Sequence, residues 1–463
     1  MLRSISPFDG SVVTEHPTLS DDELEAKVAE AFQQWRLVRR HGSDDLPARK
    51  RSLERLGDEL DTNIAELASL AAREMGRPYA QGVEEVKKCV QACRLVAARL
   101  EGWLAPELVT AASGPFATVA TATVTPRALG LVLSILPWNF PYWQPIRAML
   151  GALASGNCLL LKHDEHVPGC AGLLAERIDR AGLDGVVTWL PIDRQQTERL
   201  ITDDRIAAVT FTGSTRTGRI VAAAAGAALK PSILELGGSD PFLVLEGADL
   251  AAAAKAAVRS RLINNGQSCV AAKRFIVLDR DHDAFVDLLR DELSRIRVGD
   301  PLDPATELGP LARADLAATL RDQRAGTIAA GATVAYELAV PEGSCWAPAT
   351  ILTETKQGLP AFRGETFGPL FAVARATDQR HALWLANASP FALGASVWGT
   401  PGETALRDIL AELRVGTVAL NDIVRSYPEL PFGGRAGSGW GSELGREGMR
   451  ALTFPQVVTG RPA

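Results

Sequence analysis

The 463-residue chain is poor in cysteine, methionine and tyrosine, with six, four and four of each. Six thiols over that length make no disulfide framework, and a reducing cytoplasm is the simplest setting for them. No apolar run reaches membrane-spanning length. Residues 1–10 lack the basic-then-apolar layout of a secretory signal. Positive charge is not in excess: 49 Lys and Arg stand against 55 Asp and Glu, a net −6, which argues against a nucleic-acid or anionic-membrane partner. Cys89 and Cys93 lie four apart in a helical pattern, but no His or Cys follows at zinc-site spacing, so packing is expected there and no metal. There is no internal repeat and no low-complexity tail.

What is present is the composition of a soluble globular chain, 46% hydrophobic and 22% charged, long enough for two or three domains. The start reads as helical. Ser20 and Glu23 form a capping box, followed by Leu24, Val28, Ala31 and Trp35 at helical spacing. After a turn over 41–45, a long helix with the stripe Leu53, Leu56, Leu60, Ile64 and Leu67 runs from Pro47 to a stop at Gly76. A third helix covers 83–104. Residues 116–127 are small and Thr-rich with partial alternation, which predicts a strand at a sheet edge or reaching a partner subunit.

Strands and helices then alternate. Strands are expected at 129–136, 158–162, 186–190, 206–211 and 233–236, with helices at 145–153, 168–181 and 215–225. That pattern implies a parallel sheet covered on both faces. Ligands of such sheets bind at the C-terminal strand ends, where Pro137-Trp138-Asn139, Lys162, Thr212-Gly213-Ser214 and Glu235 fall. A second alternating stretch has strands at 242–245 and 275–278 and helices at 250–262 and 284–296. It continues to about residue 420 and forms a second α/β domain. Residues 452–458 resemble the Thr-rich strand.

Several residues have the chemistry of a site. Cys269 follows the polar turn Asn264-Asn265-Gly266-Gln267-Ser268 and precedes an apolar run. It reads as a nucleophilic thiol beside a backbone N–H, or as a buried apolar residue. Residues 211–218 follow a strand and open a helix. Gly213 permits a tight turn toward a phosphate, or an ordinary strand–helix connection, since the middle glycine of the dinucleotide fingerprint is missing. Lys162 and Glu165 suit ribose and phosphate groups, or a solvated loop. Glu235, before Gly237-Gly238, is a candidate general base or an ion-pair partner. Asn139, on a rigid proline-flanked turn, offers an amide to an oxyanion or caps the turn.

Order and spacing bind these signals together. Pro137-Trp138-Asn139-Phe140-Pro141, Phe211-Thr212-Gly213-Ser214, Leu234-Glu235-Leu236-Gly237-Gly238, Gly266-Gln267-Ser268-Cys269, Glu365-Thr366-Phe367-Gly368-Pro369 and Pro431-Phe432-Gly433-Gly434 follow in turn. Over nearly its whole length the chain resembles the NAD(P)-dependent aldehyde dehydrogenase superfamily, most of all its bacterial succinate-semialdehyde dehydrogenase branch. The resemblance implies an α/β fold with a Rossmann-type cofactor domain (1–115 and 129–235) and an α/β catalytic domain (236–430). A β-strand oligomerisation arm and C-terminal segment (116–128 and 431–463) would make a homodimer or homotetramer.

It also implies roles. Cys269 attacks the aldehyde, Asn139 and the Cys269 N–H stabilise the oxyanion, and Glu235 activates the water that hydrolyses the thioester. Trp138, Thr212, Gly213, Ser214 and Leu236 belong to the cofactor site. Lys162 and Glu165 match the adenosine-ribose site, Glu365 the nicotinamide ribose, and Phe367 packs near that ring. A carboxylate at Glu165 suits NAD and repels the 2′-phosphate of NADP, so NAD is the expected cofactor and NADP the alternative. Arg147 matches a substrate-carboxylate arginine, or, like Arg425, is a structural salt-bridge residue. Ile263 stands where some members carry a second substrate arginine, for which Arg425 or Ser426 are the nearby substitutes. Arg435, Ala436 and Ser442 also depart from the family pattern. The expected substrate is a short semialdehyde. The alternatives are another aliphatic or aromatic aldehyde, a coenzyme A-acylating reaction, or a silent binding homologue, against which Cys269, Glu235 and Asn139 all speak.

Overall fold

In the computed structural model, which describes residues 1–41, 46–110, 121–400, 402 and 404–460, the alternation after residue 129 becomes two mainly parallel sheets. The first is six-stranded among the described residues. Ser232–Glu235, Ile206–Thr212, Leu131–Ile135, Cys158–Lys162 and Val187–Trp189 lie side by side in parallel, and Gly439–Trp440 adds an antiparallel edge. Helices cover both faces, which is why these strands are continuous apolar runs; Leu131 to Leu133 and Cys158 to Leu161 are fully buried.

Strand order reverses between Leu131–Ile135 and Ile206–Thr212. At such a switch point the chain leaves neighbouring strands in opposite directions, and a crevice opens beyond their C-terminal ends. The register places the ends level: Ile135 lies opposite Lys162 and Phe211, and Thr212 opposite Glu235.

The second sheet is seven-stranded among the described residues, with Ala272–Leu278 at its centre between Leu370–Ala376 and Asp240–Val244. Every residue of Ala272–Leu278 is buried. Cys269 and Glu365 precede neighbouring parallel strands, so their loops enter this sheet at the same edge.

Some expectations were too simple. Residues before Ser20 form a hairpin, Leu2–Ile5 with Val12–His16. The helix expected from Pro47 to Gly76 is two helices, Leu46–Thr62 and Ile64–Met75. At the break, the Asn63 amide donates to Glu59 O (2.7 Å), competing with the helical ladder. Gly76 does end the second, with φ 71° and its N–H on Ala72 O. The capping box forms: Ser20 N–H to Glu23 Oε2 at 2.7 Å, Glu23 N–H to Ser20 Oγ at 3.2 Å. Cys89 and Cys93 are wholly buried, against the helix Leu46–Thr62. No helix among the described residues is long and apolar enough to cross a membrane.

The Thr-rich stretch is a strand at Thr121–Ala128, paired antiparallel with Thr453–Gly460 and Glu107–Thr110. Residues 116–120 of that expected strand, and 42–45 of the expected turn, lie outside the described residues. Leu108, Val109, Phe454, Val457 and Val458 leave this small sheet with exposed apolar side chains. Among the described residues of 431–463, only Thr453–Gly460 joins it. Gly439–Trp440 pairs with the strand that ends in Glu235.

Candidate active site

The site is built on the turn before Cys269. Asn264 and Asn265 are both left-handed (φ 54°), a conformation asparagine tolerates better than other side chains. Gly266 follows at φ 80°, and a Cβ there would lie 2.4 Å from the Gly368 carbonyl carbon. Its missing side chain lets the turn press on the loop that follows Glu365. Side chains lock the rest. The Asn265 amide donates to Gly76 O and Pro310 O (both 2.8 Å), while Gln267 Oε1 accepts from Ala312 N–H (2.9 Å).

Two buried cations complete the frame, and the sequence reading assigned neither a role. Arg261 donates to the carbonyls of Gly266 (3.1 Å), Ala272 (3.0 Å), Thr366 (2.8 Å) and Gly368 (3.0 Å). Lys273 donates to those of Ser268 (2.9 Å), Cys269 (2.7 Å) and Ala271 (3.1 Å), and its Nζ is 3.9 Å from Glu365 Oε1. Burial lowers Arg261 to about 9 and Lys273 to about 8, with Glu365 opposing the shift in both. Neither had a sequence signal of its own: Lys273 stands two residues before the expected strand at 275–278.

The structure draws the other sequence-predicted residues to this turn. Asn139 donates through Nδ2 to Gln267 O (3.0 Å) and accepts on its own carbonyl from Asn264 Nδ2 (2.5 Å). Its amide has a second N–H to give. Gly238 N–H donates to Glu365 Oε1 (3.0 Å). A Cβ on Gly238 would meet the Cys269 carbonyl at 2.5 Å, and one on Gly237 would meet Glu365 Oε2 at 2.5 Å. The two glycines after Glu235 therefore allow the sheets' loops to touch.

Glu235 is buried, and neither carboxylate oxygen has a side-chain hydrogen-bond partner among the described residues; the Gly434 backbone N–H is the nearby donor, short of good hydrogen-bond geometry. Burial pushes its carboxyl well above the usual carboxylate range; Arg147 opposes that and Glu443 adds to it. A raised carboxyl is a stronger base once ionised, which suits proton transfer from water. Cys269 is half-buried. Burial pushes its thiol up to about 12, against the pull of Arg147 and Lys273.

Arg147 sits differently from a free anchor. It forms a buried ion pair with Glu443, lies over the Phe432 ring (4.9 Å) and reaches Thr212 Oγ1 (3.5 Å). Its charge thus has a partner within the protein, although it still lines the cleft. That cleft has a volume of about 900 Å³ and is bordered by Phe140, Trp143, Ile263, Cys269, Ser426 and Phe432. Arg425 borders it too, paired with Asp422 (2.8 Å). Arg435 and Ala436 are exposed and pair with Phe391–Ala392, while Ser442 is partly buried.

Across the thiol, the switch-point crevice holds the remaining residues. Trp138 and Phe367 meet edge to face at 5.9 Å. Ser214 caps the helix Thr215–Ala227, accepting from Thr217 N–H (3.2 Å). Gly213 N–H donates to Glu235 O (3.0 Å). A capped helix N-terminus beside a glycine at a switch point suits a pyrophosphate, so these residues fit a dinucleotide. Lys162 is half-buried at its strand end, Leu236 packs against Gly218, and Glu165 is exposed on the turn beyond.

A thiol held up to about 12 is protonated at neutral pH, and its thiolate fraction grows tenfold per pH unit below that value. Iodoacetamide labelling of Cys269 in the cofactor-free protein, followed by peptide mass spectrometry, should therefore accelerate about tenfold per unit from pH 7 to 9. A plateau within that range would contradict it.

Over residues 1–458 the chain matches the aldehyde dehydrogenase family. It is 39% identical over 459 residues to a succinate-semialdehyde dehydrogenase [NADP(+)] of Mycolicibacterium paratuberculosis, covering 99% of this chain and 96% of the relative. The succinic semialdehyde dehydrogenase of Streptococcus pyogenes in complex with NADP+ superposes with a TM-score of 0.94 at 31% identity, covering 99% of both chains. An NAD-dependent aldehyde dehydrogenase from Sinorhizobium meliloti gives 0.92 at 29% identity, covering all of this chain and 92% of that one. The chain belongs to the aldehyde dehydrogenase family and is an NAD(P)-dependent oxidoreductase that converts an aldehyde to its acid.

Proposed function

We propose that the substrate is succinate semialdehyde or a similar short ω-carboxy aldehyde, and that Cys269, Asn139 and Glu235 carry the reaction. What supports this is that Cys269 lines a cleft that also holds Arg147, Arg425 and Ser426, while Asn139 bonds the turn that carries Cys269 and the Glu235 carboxylate acts on its thiol. The Cys269 thiol gives up its proton to water in the cleft, and the sulfur adds to the aldehyde carbon. The developing oxyanion takes hydrogen bonds from the Asn139 amide and the Cys269 N–H. Bound NAD(P)+ supplies the hydride acceptor. Cys269 is left as a thioester, a good acyl donor to water. Glu235 takes the proton of that water, and a buried carboxyl with no side-chain partner suits a base that works only on what enters the cleft. A water-activating base works against passing the acyl group to coenzyme A, so hydrolysis is the assigned outcome.

The cofactor reading changes. The NAD preference expected from Glu165 is not supported by the relatives, since those at 39% identity are named for NADP(+). Glu165 is exposed, so its carboxylate is free to turn into solvent and leave room for a 2′-phosphate. We therefore take NADP+ as the cofactor. For assembly, the exposed apolar residues of the Thr121–Ala128 sheet support a cytoplasmic homodimer or homotetramer built through that arm; a monomer in light scattering would contradict it.

Reduction of NADP+ and NAD+ followed by absorbance should show higher kcat/KM with NADP+ and a preference for succinate semialdehyde over aliphatic and aromatic aldehydes. Cys269→Ala should remove turnover while cofactor still binds. Turnover unchanged in that variant would refute the assigned nucleophile, and a clear NAD+ preference would refute the cofactor.

A further inference from the structure

We propose that Lys88 is a specificity-determining residue, which together with Ser426 holds the ω-carboxylate of the substrate. This rests on the reading that the substrate is a carboxy-aldehyde.

Lys88 lies on the helix Tyr79–Leu104, half-buried, and borders the same cleft as Cys269. Its Nζ donates to Ser426 Oγ at 2.7 Å and sits 4.1 Å from the centroid of the Trp143 ring. Trp143 Nε1 donates to the same Ser426 Oγ at 3.1 Å. Counting donors shows what is unfinished. An ammonium has three N–H groups, and among the described residues Ser426 is the acceptor for one. Ser426 Oγ already receives two hydrogen bonds, which occupy both lone pairs and leave its own O–H to donate. No acceptor for that O–H, nor for the remaining ammonium protons, occurs among the described residues. The unused donors therefore gather at one point of the cleft wall.

The charge is also unmatched. Among the described residues no carboxylate lies within ion-pair distance of Lys88. Nearby Glu84 pairs with Lys87 and Glu85 with Arg77. The other sheltered cations of the cleft are engaged, Arg147 by Glu443 and Arg425 by Asp422; Lys255 and Arg259 are exposed on its border. Burial and the neighbouring Arg147 together lower Lys88 to about 7. A desolvated cation with spare donors gains most from a ligand that brings its own negative charge and two acceptor oxygens. A neutral aldehyde supplies neither.

The competing role is structural, with Lys88 only propping Ser426 and Trp143. Saturation kinetics of the holoenzyme separate the two, using succinate semialdehyde, butanal as the neutral aldehyde of equal length, and succinate as a non-reacting competitor. In Lys88→Met the preference in kcat/KM for succinate semialdehyde over butanal should fall about 10- to 100-fold, the range for a hydrogen bond to a charged group. The loss should sit in KM, and the inhibition constant of succinate should rise by a similar factor. For a variant too impaired to assay, succinate binding by calorimetry gives the same reading. A preference and a succinate affinity within twofold of wild type would overturn the role of Lys88 and leave the substrate reading standing. A wild-type enzyme with no preference for succinate semialdehyde over butanal would overturn both.

Discussion

The turn that presents Cys269 is held by backbone carbonyls gathered around two buried cations, Arg261 and Lys273. Between them they accept into one frame the carbonyls of Gly266, Ser268, Cys269, Ala271, Ala272, Thr366 and Gly368. Burying a charge costs several kcal/mol unless its hydrogen bonds are satisfied, and these carbonyls supply those bonds. The same bonds join the Cys269 loop to the Glu365 loop, and Asn264 extends the frame to Asn139. A left-handed run of Asn264, Asn265 and Gly266 is strained in isolation. It persists because its surroundings over-determine it, and the gain is a thiol whose position is fixed before substrate arrives.

Around that frame the electrostatics are set by burial. Cys269 and Glu235 are both pushed toward their neutral forms, and Arg147 is the charge that opposes this in each. Arg147 is itself balanced by Glu443, which raises Glu235. At rest the thiol is therefore protonated, and the Glu235 carboxyl is pushed the same way. Such a pair stays unreactive toward solvent and becomes useful only once a reactant enters the cleft and changes what surrounds them.

Much of this was readable in the sequence, for a physical reason. Strands buried on both faces are continuous apolar runs, so Cys158–Lys162 fell where expected, and the helix Leu250–Leu262 kept its predicted bounds. Site residues at strand ends inherit that legibility, as Lys162, Thr212 and Glu235 do. Three kinds of feature left no trace. The hairpin over residues 2–16 is short and half polar. The bonds of Arg261 and Lys273 go to carbonyls, which every residue has. Partners distant in the chain, such as Glu443 for Arg147, Ser426 for Lys88, and the edge strand Gly439–Trp440 beside Glu235, are set by the closing of the fold. For that reason the sequence left Arg147 open between a substrate anchor and a salt-bridge residue, and Lys88 was passed over.

The division of labour between Cys269 and Glu235 is tested most directly by a single turnover of Glu235→Gln. With succinate semialdehyde and NADP+, the variant should release one equivalent of reduced cofactor per site in a burst and then stall, with the acyl group found on Cys269 by mass spectrometry. Steady turnover at the wild-type rate, or an acyl group on any other residue, would contradict it.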